Sequence, residues 1–357
     1  MEVLTARLLP SLRLRGHEFL VVAPKNYTDL PDQERYQGIP IQRLEFETAD
    51  PGGIDHVVQI RQNVIKLKQT FAPDLIHING VGATDFFHLT TARAHKAPVI
   101  VTLHNPWSSQ ADMIVAQTLR GADWVVGVSA AILDRARRLT PEISDRCSFI
   151  YNGVPPPLPS PKPLPLVHPR LLCLGRLAPD KGIDVAITAF SLLIDRFPQA
   201  RLTIAGDGPL RSDLEQHAIR QGIGHAVDFV GWVVPEKVPS FINEYTMVLM
   251  PSRQEPFGLV ALEAALMARP VVATRVGGLP EIVVHKETGL LVESEDSRSL
   301  AEAAALLLSK PQSALQFGQA ARRRAHDVFS WEQHVAAYDA LYRKITEQAF
   351  PDNQSKI

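Results

Sequence analysis

Cysteine is nearly missing from this chain: Cys147 and Cys173 are the only two in 357 residues. Both fall in apolar stretches, one on each side of a proline-rich segment, so the expectation is two small buried thiols, with no disulfide framework and no zinc site. No apolar run approaches the roughly 20 residues that span a bilayer. The start, MEVLTARLLPSLRLR, reads as an amphipathic helix with interspersed arginines rather than a secretory signal, and a cytoplasmic location is the default expectation. Charge of one sign is lacking as well: the formal net charge is -1, with no dense basic run, which argues against a nucleic-acid partner. There is no Gly-x-Gly-x-x-Gly turn after a first strand, which ranks a nicotinamide dehydrogenase last. Paired aspartates of the Asp-x-Asp kind are also absent, so no obligatory divalent metal and no cofactor are expected.

What is present is an ordinary globular composition, 45% hydrophobic and 21% charged, in a chain long enough for two cores. The first half alternates short apolar strands (Glu18 to Ala23, Ile39 to Leu44, Asp74 to Ile78, Val99 to Leu103, Trp124 to Gly127, Cys147 to Ile150) with helical stretches such as Asp55 to Phe71 and Ala130 to Leu139. Strand, helix, strand at this spacing means a parallel sheet with crossover helices. Residues 155–170 carry eight prolines, which forbid a helix or a central strand and hold the backbone extended. The alternation then resumes at Arg170 to Gly175, Arg201 to Gly206, Val227 to Gly231, Met247 to Met250 and Pro270 to Thr274. The reading is an α/β protein of two Rossmann-like domains, 1–154 and 170–330, with a linker over 155–169 and a final helix over 331–348 that can pack back on the first domain. Ligands of such sheets bind at the carboxyl ends of the strands, so a cleft between the domains is the expected site. A doubly wound domain normally opens on a strand, whereas this chain opens on a helix, so the first domain is expected to lack its first strand.

Three segments carry candidate chemistry. After the first strand of the second domain, Arg176 and Lys181 stand five apart on a strand-to-helix loop, where with a helix amino terminus they could hold one anion, a diphosphate by preference. The competing reading makes Lys181 a solvated loop residue and pairs Arg176 with a neighbouring acid. Glu255 and Glu263 lie eight apart around Pro256-Phe257-Gly258-Leu259; Gly258 permits close backbone approach, and Glu263 in a mostly apolar helix calls for a hydrogen-bonding partner such as ribose hydroxyls. Alternatively Glu263 faces solvent or pairs with an arginine. Turns at Gly206-Asp207-Gly208-Pro209 and Gly277-Gly278-Leu279-Pro280-Glu281 can bring backbone to a phosphate or base, or serve only as turns. In the first domain, His104 follows a strand, a position suited to a reacting hydroxyl or to a purely structural imidazole.

Together these residues, with Thr288 to Val292 and the first-domain runs Arg15-Gly16-His17-Glu18, Val128-Ser129 and Tyr151-Asn152-Gly153-Val154, resemble the retaining GT-B glycosyltransferases of family four (glycosyl transferases group 1). The resemblance covers essentially the whole chain. It implies that Arg176 and Lys181 hold the donor diphosphate, Glu263 the nucleotide ribose, and Glu255 the donor sugar. It implies too that the backbone of Phe257, Gly258 and Leu259 contacts sugar and phosphate, that Gly206 lies on the donor site's rim, and that His104 lies near the reacting sugar. Members usually begin with a strand and a Gly-Gly loop, which this chain lacks. The expected function is metal-independent transfer of a hexosyl group from a nucleoside diphosphate sugar to an unidentified acceptor hydroxyl, as in polysaccharide or glycolipid biosynthesis. Peripheral membrane contact stays open. So do two alternatives: a catalytically impaired donor-binding relative and a sugar-nucleotide epimerase on the same fold.

Overall fold

The computed structural model describes residues 2–25, 30–46, 53–81, 83–107, 109–156 and 158–351; Met1 and Pro157, inside segments read above, lie outside them. The chain divides into two compact units. Unit 1 gathers 1–128, 132–150 and 334–357; unit 2 gathers 129–131 and 151–333.

Unit 1 runs α1 (Glu2–Arg13), β1 (Val21–Pro24), β2 (Gln33–Tyr36), β3 (Ile39–Leu44), α2 (Gly53–Phe71), β4 (Ile76–Asn79), α3 (Ala83–Thr90), β5 (Val99–Leu103), α4 (Asp112–Gly121), β6 (Trp124–Gly127), α5 (Ala130–Leu139) and β7 (Cys147–Phe149). Its described strands form two sheets, ordered β1-β3-β2 and β4-β5-β6-β7. All pairs are parallel except β2 with β3. Within the second of these sheets every residue of β5 is buried, whereas every residue of β4, its edge strand, is only partly covered. The β2 strand went unread because Gln-Glu-Arg-Tyr has no apolar alternation; it is a charged edge strand, a composition that discourages further pairing. Cys147, expected to be buried, is only half-buried and accepts a hydrogen bond from Arg137 Nε at 3.4 Å, whereas Cys173 is fully buried.

The last helix, α6 (Trp331–Ala349), lays a stripe of buried rings on unit 1. His334, Tyr338 and Tyr342 recur every four residues, the period that stacks side chains on one helix face, and all three are almost wholly buried. Tyr342 Oη lies 2.6 Å from His77 Nδ1, Lys344 Nζ lies 4.0 Å over the Trp124 ring, and Asp339 pairs with His17 at 2.8 Å and with Arg15 at 3.2 Å.

Unit 2 is one fully parallel sheet of six strands flanked by helices. Its strands are β8 (Arg170–Leu174), β9 (Arg201–Ala205), β10 (Val227–Gly231), β11 (Met247–Met250), β12 (Val271–Thr274) and β13 (Gly289–Val292), in the order β10-β9-β8-β11-β12-β13. Its helices are α7 (Ile183–Leu193), α8 (Arg211–Arg220), α9 (Val238–Ile242), α10 (Leu259–Leu266), α11 (Leu279–Ile282), α12 (Ser297–Ser309) and α13 (Pro311–Val328). The proline-rich segment, read from the sequence as a spacer, is counted with unit 2. Its extended backbone leaves carbonyls that no ladder uses, and side chains of unit 2 take them up: Asn243 Nδ2 donates to Ser160 O at 2.9 Å, Thr246 Oγ1 to Pro165 O at 2.8 Å, and the fully buried Arg269 to Lys162 O at 2.8 Å. Leu164 joins the core beside Leu171 and Phe190.

Burial holds His77 and His88 down at about 4 and His104 at about 3, against about 6.5 in an unfolded chain. All three are neutral in the folded protein near pH 7. Between these values and about 6.5 the unfolded chain binds the extra protons, so stability falls as pH falls through that window. At about 1.4 kcal/mol per pH unit, His77, hydrogen-bonded at both ring nitrogens, accounts for on the order of 3 kcal/mol. Urea midpoints should therefore drop steeply from pH 7 to pH 4.5, and His77→Gln should flatten that slope; an unchanged slope would contradict the buried neutral ring.

Candidate donor site and first-unit histidine

In unit 2 the loops after β9, β8, β11 and β12 leave the carboxyl ends of four adjacent strands and touch backbone to backbone. Gly175 N donates to Ala205 O at 2.9 Å and Leu177 N to Asp207 O at 2.9 Å; Arg253 N donates to Asp180 O at 2.8 Å and Gly278 N to Glu255 O at 2.9 Å. Two of these approaches tolerate no side chain. A Cβ on Gly206 (φ +133°) would stand 1.9 Å from Gly175 O, and one on Gly277 (φ +52°) 1.9 Å from Glu255 O.

On this frame Lys181 and Glu255 meet. Lys181 Nζ lies 2.8 Å from Glu255 Oε2, with side chains 22% and 10% exposed. A carboxylate so little hydrated needs a cation against it. Arg176 is not part of that pair: its side chain is 68% exposed and it pairs with Asp180 at 3.3 Å, as the competing reading had it, while Asp180 also stands 3.7 Å from Lys181. Gly258 precedes α10 as its N-cap without a side-chain cap, so the helix begins with N–H groups that no side chain of that residue satisfies. Phe257 is 2% exposed, its ring near Tyr151 and Phe329 at 6.0 Å each, so its ring packs in the protein and does not face a ligand. Leu259 and Glu263 are both partly buried on α10.

Arg253 was not read from the sequence. It stands two residues before Glu255 and grips Asp184 through two hydrogen bonds of 2.9 and 2.7 Å, Pro179 O at 2.8 Å, and Glu295. Hydrogen bonding to Asp184 and then Glu295 raises its pKa, and the same contact lowers that of Asp184. Within unit 2, Ser129 Oγ also donates to Pro256 O at 2.6 Å, and the Ala130 and Ala131 N–H groups donate to the Glu281 carboxylate at 2.9 and 3.0 Å. The Glu281 contact gives the Gly-Gly-Leu-Pro-Glu turn a structural task that its spacing alone did not disclose.

His104 belongs to unit 1 and follows β5 directly. Its Nε2 lies 3.2 Å from Asn79 Oδ1 at the end of β4. Burial, with His77 and His334 nearby, keeps the ring neutral, so it can offer a hydrogen bond but not a positive charge.

Comparison with known proteins agrees with this architecture. The family "Glycosyltransferase Family 4" matches residues 1–158 and "Glycosyl transferases group 1" matches residues 160–324. The chain belongs to this family of glycosyltransferases and has the GT-B fold. It is 29% identical over 304 residues to a glycogen synthase of Mycobacterium tuberculosis, covering 79% of this chain and 72% of the relative. It is 26% identical to an uncharacterised glycosyltransferase of Methanocaldococcus jannaschii, covering 94% and 92%. Among solved structures it superimposes on sucrose-phosphate synthase from Thermosynechococcus elongatus with TM-score 0.84 and 26% identity, covering 96% and 92%. Its fold also matches Anabaena HepE, solved with UDP and glucose, with TM-score 0.74 and 22% identity over 86% and 87%.

Substituting Gly277 by alanine should cost about 2–4 kcal/mol, the sum of a left-handed backbone and an overpacked contact. Gly222 also has positive φ (+75°) but nothing within 4 Å of its Cβ position, and Gly222→Ala should cost about 1 kcal/mol. Urea denaturation of both variants checks this; equal losses would mean that the loops of unit 2 do not pack as closely as described.

Proposed function

We propose that this glycosyltransferase binds a nucleoside diphosphate hexose on unit 2 and transfers the hexosyl group to an acceptor hydroxyl with retained anomeric configuration. The observation that carries the proposal is the Lys181–Glu255 pair, 2.8 Å apart and mostly covered, set where four strand-to-helix loops converge. In this reading Lys181 and Arg176 take the diphosphate, and Arg176 leaves Asp180 to do so, an exchange that costs little because the exposed pair is weak. The N–H groups at the start of α10 and the backbone of Phe257, Gly258 and Leu259 meet phosphate and sugar. Gly206, with no side chain, lets the rim approach the ligand, Glu255 accepts from sugar hydroxyls, and Glu263 accepts from the ribose. His104 meets a hydroxyl of the reacting sugar or of the acceptor as a neutral imidazole.

The chemistry asks for stabilisation of charge that grows on the departing diphosphate. Lys181 and a helix amino terminus, already in place, together with Arg176 once it has turned from Asp180, supply it, which is why transfer is expected to proceed without a divalent metal. Attack on the face from which the diphosphate departs accounts for retention. A nucleotide-sugar donor also fits the named relatives, a glycogen synthase and a sucrose-phosphate synthase, and HepE, which was solved with UDP and glucose.

Calorimetry against a panel of nucleoside diphosphate sugars tests the donor assignment and names the nucleotide; no binding by any of them would overturn it. Glu263→Ala should weaken the best donor about 10- to 150-fold, since a hydrogen bond to a charged group is worth about 1.5–3 kcal/mol. Unchanged affinity would remove Glu263 from the ribose.

Metal independence is tested separately. Transfer should survive chelation at saturating donor; a loss that magnesium restores would transfer the diphosphate from the cation pair to a metal. Turnover of donor to an isomer without any acceptor would instead favour an epimerase.

A further inference from the structure

We infer that Asn79 is a positioning residue for His104: its Oδ1 accepts from His104 Nε2–H, which fixes the imidazole proton on Nε2 and leaves the Nδ1 lone pair as the ring's free acceptor. The inference rests on the reading of His104 as the unit 1 residue that meets a substrate hydroxyl.

The argument begins with register. In the parallel pair of β4 and β5, His77 lies opposite Ile100 and Asn79 opposite Thr102. Side chains of a strand alternate between faces, so His77 and Asn79 share one face, as do Thr102 and His104. Two cross-strand contacts show that it is the same face for both strands: His77 Nε2 to Thr102 Oγ1 at 2.7 Å, and Asn79 Oδ1 to His104 Nε2 at 3.2 Å.

The two rungs differ in what they leave over. His77 is saturated, with Tyr342 Oη at 2.6 Å on Nδ1 and Thr102 on Nε2, and Thr102 in turn meets Tyr338 Oη at 3.3 Å. That rung is closed by α6. On the second rung, among the described residues, His104 has one nitrogen engaged and the other without a hydrogen-bond partner. A neutral imidazole is a donor at one nitrogen and an acceptor at the other, so a carbonyl oxygen on Nε2 decides which. The tautomer follows from Asn79, as the orientation of a ligating or catalytic histidine generally follows from the partner of its other nitrogen.

The chemical consequence is an Nδ1 that accepts from a hydroxyl and orients its oxygen lone pairs. It does not retain the proton, because burial opposes the charged ring. Asn79 therefore acts on transfer through geometry, and its removal should lower kcat more than it raises the donor KM, because the residues proposed to hold the nucleotide and diphosphate lie in unit 2.

Long-range proton–nitrogen correlation spectra of 15N-histidine protein, assigned with His104→Gln, read the tautomer directly and without any substrate. The Nε2–H form is expected; the Nδ1–H form would overturn the inference. Asn79→Asp keeps the acceptor and adds a charge, so it should keep the tautomer and move the His104 titration to higher pH. Asn79→Leu should mix the tautomers and reduce kcat by about 10- to 100-fold, the scale of a misplaced reacting group. A leucine variant with wild-type tautomer and kcat would also overturn it. If the spectra behave as expected and transfer is untouched, Asn79 stands as the partner of His104 and the role of His104 in transfer is what fails.

Discussion

Backbone contact between loops, with no side chain in the way, is the constraint on which the candidate site of unit 2 depends. Strand-to-helix loops ordinarily lie side by side with side chains between them. Here Gly206 and Gly277 bring the loops after β9 and β12 against the carbonyls of Gly175 and Glu255, and hydrogen bonds close the seams. Backbone that is already hydrogen-bonded to backbone loses little conformational freedom when a ligand arrives. The site residues are thereby held before binding, which lowers the entropic cost of association.

A second consequence is electrostatic. Drawing the loops together puts Lys181 against Glu255 in a place that water reaches poorly, where each charge would be expensive without the other. Arg253 then anchors the same loop from behind, through Asp184, Glu295 and Pro179 O. The loop bearing Glu255 is thus tied on one flank to the start of α7 and on the other to the turn before α12. Arg176 is the contrast: exposed and paired only with Asp180, it is the cation that can be redirected to an incoming anion at small cost.

These features were legible in the sequence to the extent that they are local. The strand-helix alternation found five of the six unit 2 strands within a residue, and the glycine turns and the candidates Arg176, Lys181, Glu255 and Glu263 stood out by their spacing. Interactions between residues distant in the chain were not legible. Arg253 finds Asp184 and Glu295 at separations of 69 and 42 residues, and no window that scores periodicity sees them. The β2 edge strand carries charge where a strand signal needs alternation. The proline-rich segment has neither helix nor strand among its described residues, as its prolines require, but its attachment depends on Asn243, Thr246 and Arg269, all more than 75 residues beyond their respective partners. Arg176 shows the opposite case: its partner is four residues away, and the local alternative was on the page from the start.

Unit 1 solves a different problem. Its β4–β5 face is polar where a parallel sheet is usually apolar on both sides, and a polar face can be covered only if each group is satisfied. Helix α6 does this for one rung, matching Tyr338 and Tyr342 to Thr102 and His77. Because His77 is consumed in that match, it is silent chemically and serves to anchor the helix. The next rung along the same face presents the same residue type with one nitrogen left over. A histidine two positions away on a neighbouring strand thus differs in chemical capacity for a structural reason alone: the helix reaches one ring and leaves the other to Asn79. The residue count of a motif cannot express that difference, since both histidines follow apolar β residues and both are neutral. What separates the two rings is how many of their hydrogen bonds the fold has already used.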